Sequence, residues 1–211
     1  MIRYLLIAAL LFYPSTLNAD IVSCQAIKYS LSTKKIAYIQ GEVGKRLYAA
    51  FIQDMDATAE LKGDRLIIIN SQGGRVDYGK KIIDRINTEK ATGVKVVCIV
   101  LNEAHSMAFN ILTHCNIRLS QPNALMLVHK ARLPIDKNEY LTSEMLRQHA
   151  DELDKDDEPF RQANSKAMGL SLKEYDEYTS KEVMWRAETL LKRGYLHCIT
   201  KLKKVIDKSR R

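Results

Sequence analysis

The sequence predicts a single α/β domain with a mainly parallel sheet, and two observations lead to this class. Short β-branched apolar runs alternate with amphipathic helical segments through the first half, which is typical of successive β-α-β units. No repeat, low-complexity block or boundary divides residues 20–211, a length that can bury one core. The composition, 46% hydrophobic and 27% charged, is that of an ordinary globular protein.

The predicted strands are short apolar runs bounded by polar residues. They are IAYIQ (36–40), RLIIIN (65–70), VKVVCIV (95–101), IRLS (117–120) and ALMLVH (124–129). The second and third lack alternating polar residues, which is typical of strands buried on both faces. SQGG (71–74) is expected to break the second strand.

The predicted helices carry apolar residues at helical spacing between these strands. They are KRLYAAFIQDMDAT (45–58), RVDYGKKIIDRIN (75–87), SMAFNILTHC (106–115), a long polar helix over 139–168, and SLKEYDEY (171–178). The first should bury Leu47, Phe51, Ile52 and Met55, and the second Val76, Ile82, Ile83 and Ile86. AETLLKRGYLHCI (187–199) predicts a final helix and strand.

Residues 1–19 have the form of a secretory signal peptide. Arg3 precedes an apolar stretch from Tyr4 to Tyr13, and small residues end the segment at Ala19, where cleavage is expected. We therefore expect an exported protein, periplasmic or secreted, with no membrane span once the signal is removed. An uncleaved N-terminal anchor is the alternative, although the apolar stretch is short for a bilayer.

The distribution of charge bears on which partners the protein could bind. The formal net charge is +8, and the excess gathers in KLKKVIDKSRR (201–211). Aromatic residues do not interleave with these cations, so a solvated tail is preferred to a nucleic-acid surface.

Four cysteines, Cys24, Cys98, Cys115 and Cys198, permit two disulfides in an exported chain, although Cys98 could also be a buried thiol. No cofactor or metal spacing is present.

Three features fall at the carboxyl ends of predicted strands, where open α/β sheets bind their ligands. The paired glycines of NSQGG (70–74) allow positive φ and close backbone approach. Ser106 opens a helix, where it is either an N-cap or an exposed nucleophile. His129 ends an apolar strand, where it is either a packed residue or a base within reach of the serine.

Together these stretches resemble the Clp protease proteolytic-subunit family. INSQGG, EAHSMAFNIL and RLSQPNALMLVHKA match, in order and near the family's spacing, its INSPGG, AASMG and LPN-to-His motifs. The closing region, SLKEYDEYTSKEVMWRAETLLKRGYLHCI, is also similar, with an acidic residue before a strand. The resemblance runs from about Ile36 to Ile199. It implies a ClpP/crotonase-like fold with repeated β-β-α units and a protruding helical handle.

The resemblance also implies a Ser/His/acid peptidase. Ser106 would be the nucleophile, His129 the general base, and the N–H groups of Gly74 and Met107 the oxyanion hole. The family's aspartate falls on Glu182, which can orient an imidazole from a longer arm. Two further acidic residues, Asp176 and Glu177, are nearby, and for both a solvated helix surface is preferred.

Four positions depart from the family's pattern. His105 replaces a small residue before the serine, Ala108 a glycine, Gln72 a proline, and Glu182 the aspartate. His105 could act as a competing base. Lys130, next to His129, raises a Ser–Lys alternative like that of exported signal-peptide peptidases of the same fold. Neighbouring strand side chains point to opposite faces, so only one of the two can face the serine.

The expected function is therefore an exported ClpP-like serine peptidase acting on peptides or unfolded protein. No Walker-type glycine loop occurs and no ATPase partner is expected outside the cytoplasm. Since residues 139–168 match the handle through which family subunits pair, we expect a homo-oligomer. The alternatives are a catalytically degraded relative that binds peptides or partners and, more remotely, an acyl-CoA enzyme of the crotonase fold.

Overall fold

A computed structural model describes residues 34–132 and 140–201, and all structural statements refer to these residues. The elements, in order, are β1 (Ile36–Val43), α1 (Lys45–Ala57), β2 (Arg65–Gly74), α2 (Val76–Ala91), β3 (Val96–His105), α3 (Met107–Thr113), β4 (Ile117–Ser120), β5 (Leu125–Leu127), α4 (Ser143–Met168), α5 (Leu172–Ser180), β6 (Met184–Arg186), α6 (Ala187–Lys192) and β7 (Cys198–Ile199). The expected signal peptide and basic tail lie outside the described residues, apart from Lys201.

The seven strands form one sheet that is mainly parallel. β1, β2, β3, β4 and β7 lie side by side in that order, and β5 pairs with β3 and with β6. Only the β5–β6 pair is antiparallel. One edge of β3 pairs with β2. The other edge pairs with β4 along the first half of β3 and with β5 along the last residues of β3. The predicted α/β class is confirmed.

The central strands are buried on both faces, as their uninterrupted apolar sequences predict. Ile67 and Ile69 of β2 face the larger core, which contains residues of α1, α2 and α3. Leu66 and Ile68 face a smaller cluster on the other side of the sheet, together with Val97 and other strand residues. The alternation follows from the two-residue period of a strand.

Two strands are longer than predicted, and the difference affects the site. SQGG does not break the second strand, because β2 continues to Gly74 in register with Val43 of β1. β3 likewise extends to His105, beside the similarly extended β2. A register shift between Ile69 and Ser71 accommodates the turn-like sequence inside the strand. Paired glycines therefore mark an irregular strand end here and not its interruption.

The other boundaries differ from the predictions by a few residues. β5 ends at Leu127, so His129 lies two residues beyond the strand that was expected to end with it. The long helix begins at Ser143 after an N-cap at Thr142, whose side chain accepts from the Met145 N–H. It ends at Met168, and the following Gly169 adopts the left-handed conformation (φ 64°) that favours glycine after a helix.

Cys98 and Cys115 form a disulfide that joins β3 to the end of α3, so Cys98 is not a free thiol. Cys198 is also disulfide-bonded, and Cys24 lies outside the described residues. Among the helices of the described residues, none combines the length and the apolar character needed to cross a bilayer.

Candidate active site

Ser106 lies at a strained turn between β3 and α3. Its backbone has φ 53° and ψ −121°, a combination that few residues other than glycine adopt. Its N–H donates to Leu127 O at 2.7 Å, which fixes the turn against β5. Ser106 occupies the N-cap position of α3, but its side chain makes no capping hydrogen bond. Capping therefore does not account for its hydroxyl.

The glycine pair of β2 lies directly against this turn. A Cβ on Gly73 would be 2.5 Å from His105 O and 2.8 Å from Ser106 Cβ, so only a glycine permits this approach. A Cβ on Gly74 would be 2.4 Å from Val43 O, which shows how tightly the same segment packs on β1. The Gly73 N–H donates to Ser71 Oγ at 3.1 Å. Of the pair, Gly74 is therefore the better candidate to donate to a substrate oxygen.

Met107 follows Ser106 as the first residue of α3. Its side chain is buried and packs against α2 at Gly79, where an added Cβ would be 2.2 Å from Met107 Cγ. The Sδ atom also lies 3.9 Å from the Asn110 amide nitrogen. Because the side chain is held on two sides, the backbone N–H that follows the serine has a fixed position. A fixed N–H of this kind is what an oxyanion hole requires.

His129 lies just beyond β5, close in the fold to the serine turn. The ladder between β3 and β5 ends with His105 opposite Leu127. In the described residues His129 makes no hydrogen bond with Ser106, and its Nδ1, the nitrogen that faces the acid in a triad, lies 2.6 Å from Lys130 O. The imidazole is partly exposed. A rotation of this side chain is therefore needed before it can accept a proton from Ser106.

Glu182 reaches the same place from β6. The antiparallel register pairs Leu127 with Met184, so His129 lies two residues after the last pair on one chain segment and Glu182 two residues before it on the other. The backbone of Glu182 has φ 52°, so this residue and Ser106 are the two described non-glycine residues with positive φ. The Glu182 carboxylate forms an ion pair with Arg132, both side chains being half-exposed. The segments that carry the three predicted triad residues are therefore neighbours in the fold, and no hydrogen bond joins the three side chains.

The competing acids on α5 are accounted for differently. Asp176 accepts two hydrogen bonds from Arg161, at 2.7 and 2.8 Å. These bonds hold the pKa of its carboxyl below the usual range. The Glu177 side chain makes no hydrogen bond with another described residue and faces solvent. Asp176 is thus a partly exposed ion pair on the surface of α5, and Glu177 is exposed on the same helix.

A third carboxylate near His129 was not predicted from the sequence. Asp157 of α4 accepts a hydrogen bond from the backbone of Ala131, and its burial raises the pKa of the carboxyl. The positive charge of Lys130 acts on Asp157 and on Asp176, in both cases lowering the pKa. The positive charge of His129 likewise lowers the pKa of Asp157, so both residues of this segment lie near that carboxyl.

His105, the other possible base, lies beside a carboxylate of its own strand. Its Nδ1 lies 3.6 Å from the carboxylate of Glu103, two residues earlier on the same face of β3. Its Nε2 is buried and makes no hydrogen bond within the part of the chain that the structure describes. With one nitrogen directed to Glu103 and the other enclosed, His105 does not replace His129.

A surface cleft opens beside the glycine pair. It has a volume of about 540 Å³ and is lined by residues from the ends of β1, β2 and β3: Gly41, Glu42, Asn70, Gln72, Gly73, Gly74 and Glu103. Its position at the carboxyl edge of the sheet is the one expected for a ligand site. Among the described residues, no cluster of side chains suited to a metal ion occurs.

Comparison with known proteins defines the class to which this fold and site belong. The family model described as Clp protease matches residues 20–202. The fold is similar to that of an asparagine-to-aspartate mutant of ClpP1 from Listeria monocytogenes, with a TM-score of 0.66 and 21% identity, covering 79% of this chain and 91% of that one. Compared with curated protein sequences, the chain has no significant match. This chain belongs to the Clp protease family.

Sequence reasoning missed the residues that contact Met107 and Gly73 and hold them in place. Gly79 and Asn110 hold Met107, and Ser71 accepts from Gly73 while its hydroxyl donates to Gly41 O at 2.5 Å. One signal was available in the sequence. Asn110 is the one polar residue among the consecutive buried positions from Met107 to Leu112, and a buried amide needs a partner.

Proposed function

We propose that this protein is a serine peptidase that hydrolyses peptide bonds through Ser106, His129 and Glu182. Membership of the Clp protease family supports a peptidase. The observation that carries the residue assignment is the turn at Ser106, which has a strained backbone, an uncapped hydroxyl and Gly73 in contact with it. Backbone strain of this kind is found at functional sites, where the surrounding fold maintains it.

In the proposed reaction, Ser106 Oγ attacks the carbonyl carbon of the scissile peptide. His129 accepts the hydroxyl proton, and the N–H groups of Gly74 and Met107 bind the oxyanion of the tetrahedral intermediate. Collapse of the intermediate breaks the C–N bond, and His129 returns the proton to the leaving amine. Water then hydrolyses the ester, with His129 again acting as base. Glu182 orients the imidazole and stabilises its cationic form.

This mechanism requires two side-chain movements. His129 must leave Lys130 O, and Glu182 must exchange Arg132 for the imidazole. Catalytic hydrogen bonds are often long or broken in unliganded enzymes and form when substrate binds. Because Glu182 and Arg132 are both half-exposed, their ion pair is worth at most about 1 kcal/mol and is a small barrier to this exchange.

A fluorophosphonate probe followed by intact-mass measurement tests the proposal on the purified protein. We expect one adduct, lost in Ser106→Ala and His129→Ala and reduced in Glu182→Ala. Ser180→Ala and His149→Ala are the matched controls and should label like the unmodified protein, since Ser180 donates to Glu177 O within α5 and His149 pairs with Glu152 within α4. An adduct that survives Ser106→Ala would disprove the assignment.

A second function, peptide binding without catalysis, is favoured by one observation. The triad side chains each have other partners or none, and Glu182 is paired with Arg132. Absence of any adduct, combined with saturable binding of an unfolded polypeptide, would make this the function. In that case Ser106→Ala would leave the binding constant unchanged.

We further propose that the protein is exported and works without an ATPase partner. The Cys98–Cys115 disulfide supports an oxidising compartment, because disulfides are rare in the reducing cytosol. Cell fractionation should find the protein outside the cytoplasm with Asp20 as its first residue. Hydrolysis of an unfolded protein should proceed without ATP, and a stable folded protein should resist. Retention of residues 1–19 on a membrane-bound product would support the anchor alternative.

A homo-oligomer is also proposed, with the handle helix α4 as its contact. The first half of α4 exposes Met145 and Leu146, and the buried residues of the helix lie only in its last turns, from Phe160 onwards. Exposed apolar side chains on a projecting helix fit pairing with a second copy. Sedimentation of the unmodified protein should give a mass above that of one chain. Leu146→Glu should lower it, whereas Glu152→Gln on the same helix should not.

A further inference from the structure

We infer that Asn164 is a positioning residue for the oxyanion hole, acting through Asn110 on Met107. Asn164 is a fully buried amide on α4, and Asn110 lies one helical turn after Met107 on α3. No site residue assigned above contacts Asn164 directly. This inference rests on the proposed peptidase function and adds a residue to its machinery.

The Asn164 amide is held in one orientation by contacts on all sides. Its Nδ2 donates to Asn110 Oδ1 at 2.7 Å and to Tyr175 Oη at 2.9 Å. Its Oδ1 accepts from Thr113 Oγ1 at 2.6 Å. The Thr113 hydroxyl lies 2.9 Å from Tyr195 Oη, which adds a second buried phenol to the network. A buried network in which every member has a partner is rigid and specifies one arrangement.

This network fixes which end of the Asn110 amide faces the serine turn. Because Asn110 Oδ1 accepts from Asn164, its Nδ2 is directed to Met107 Sδ at 3.9 Å. The Met107 side chain also packs against Gly79 of α2, through its Cγ, Sδ and Cε atoms. Met107 is therefore confined between α2 and a hydrogen-bonded amide, and this confinement sets the position of its backbone N–H.

The chemistry of the site explains why an amide pair would be retained here. Asn164 and Asn110 have apolar neighbours, and a buried polar group costs free energy unless it is hydrogen-bonded. A leucine pair of similar size would fill the same space without direction. Hydrogen bonds between the amides fix an orientation that apolar side chains would not. The atom that they orient is Asn110 Nδ2, which lies next to Met107, the residue whose N–H would bind the oxyanion.

The test compares Asn164→Leu with Ser165→Ala, its buried neighbour on α4, whose hydroxyl bonds only Gln162 O within its own helix. Steady-state hydrolysis of a fluorogenic peptide is measured below the unfolding temperature of each variant, per folded molecule. We expect Asn164→Leu to lower kcat about tenfold or more with KM nearly unchanged, because a displaced oxyanion donor weakens transition-state binding alone. Ser165→Ala should keep the unmodified kcat.

A double-mutant cycle separates positioning from simple support of the fold. If Asn164 acts through Asn110, then Asn110→Ala and the double variant Asn110→Ala/Asn164→Leu should have the same kcat. Lower thermal stability with an unchanged kcat per folded molecule would overturn the inference, as would additive effects on kcat. Thr113→Val, which removes one contact of Asn164, serves the same measurement if Asn164→Leu does not fold.

The same assay distinguishes failure of the inference from failure of the proposed function. If the unmodified protein neither labels at Ser106 nor hydrolyses peptide, the peptidase proposal fails and the inference fails with it. If the unmodified protein reacts and Asn164→Leu reacts equally fast, only the inference fails. If both proposals hold, the rate of fluorophosphonate labelling should fall in parallel with kcat.

Discussion

The two ends of the sheet use polar residues in opposite ways. At the amino edge, the fully buried Arg65 donates to both carboxylate oxygens of Glu89, at 3.1 and 3.2 Å, and to Met55 O at 3.1 Å. Thr58 accepts another of its hydrogen bonds, and Lys35 forms an ion pair with Glu89 at 3.0 Å. These charges lie in a dense set of mutual contacts, as buried charges must.

At the carboxyl edge the arrangement is looser and the backbone is strained. Ser106 and Glu182 have positive φ, and Gly73 is pressed against the serine turn. The segments that carry Ser106, His129 and Glu182 meet at this edge, and no hydrogen bond joins the three side chains. The comparison indicates that the amino edge stabilises the fold, whereas the proposed site residues at the carboxyl edge have no hydrogen bonds to one another. Four predictions test this division.

The largest expected effect is on stability at the amino edge. Glu89→Gln leaves the Arg65 guanidinium buried without its counter-charge, which should lower the free energy of unfolding by about 3–5 kcal/mol. Denaturant unfolding measures it, and kcat of the folded protein should not change. Asp56→Asn, which breaks only an exposed pair with Arg85, is the control and should cost less than about 1 kcal/mol. A matching loss in both variants would contradict the division.

The Cys98–Cys115 disulfide closes a loop that runs from the start of β3 through the serine turn and back, and its loss should be the next largest effect. Cys98→Ala/Cys115→Ala opens a loop that contains Ser106, with a sequence separation of 17 residues. The unfolded chain then gains entropy, and stability should fall by about 3 kcal/mol. Thermal unfolding with and without a reductant measures this. Without reductant, the double variant should unfold at a lower temperature than the unmodified protein. Equal stability of the two would show that the Cys98–Cys115 disulfide is dispensable.

The third prediction concerns the contact at the serine turn. Gly73→Ala should lower kcat/KM on the order of 10²-fold, because its Cβ would displace the turn. Gly93→Ala is a matched control: Gly93 has a similar φ, 84° against 89°, but an added Cβ would meet nothing within 4 Å. Both substitutions carry the same backbone strain, so their difference isolates the approach to Ser106. Equal losses of activity in Gly73→Ala and Gly93→Ala would show that the close contact between Gly73 and Ser106 does not matter for activity.

The smallest expected effect is at Arg132. Arg132→Ala frees Glu182 to approach His129 and should raise kcat/KM by a few-fold at most, since the free energy of an exposed ion pair is about 1 kcal/mol or less. Arg147→Ala, which breaks another exposed pair on α4, should have no effect. High salt should reproduce part of the increase. A lower activity in Arg132→Ala would indicate that the pair supports catalysis.

The fold and the identity of the candidate site could be predicted from the sequence to different depths. Apolar periodicity was sufficient for the class, since the buried runs of β2 and β3 can only be central parallel strands. It did not give the ends of these strands, because the conformation of SQGG depends on pairing with β1, which is remote in sequence. The β5 limit was misplaced for a related reason: the run ALMLVH continues, but its pairing stops at Leu127.

The residue types at positions 106, 129 and 182, and their order in the chain, were determined by the sequence through its resemblance to the Clp protease family. The sequence also contained the cysteines without their pairing. Only the tertiary structure decided that Cys98 bonds Cys115, that Arg132 pairs with Glu182, and that Asn164 reaches Asn110. The physical reason is that periodicity is a local property of the chain. Pairing, burial and charge contact depend on which distant segments the fold brings together.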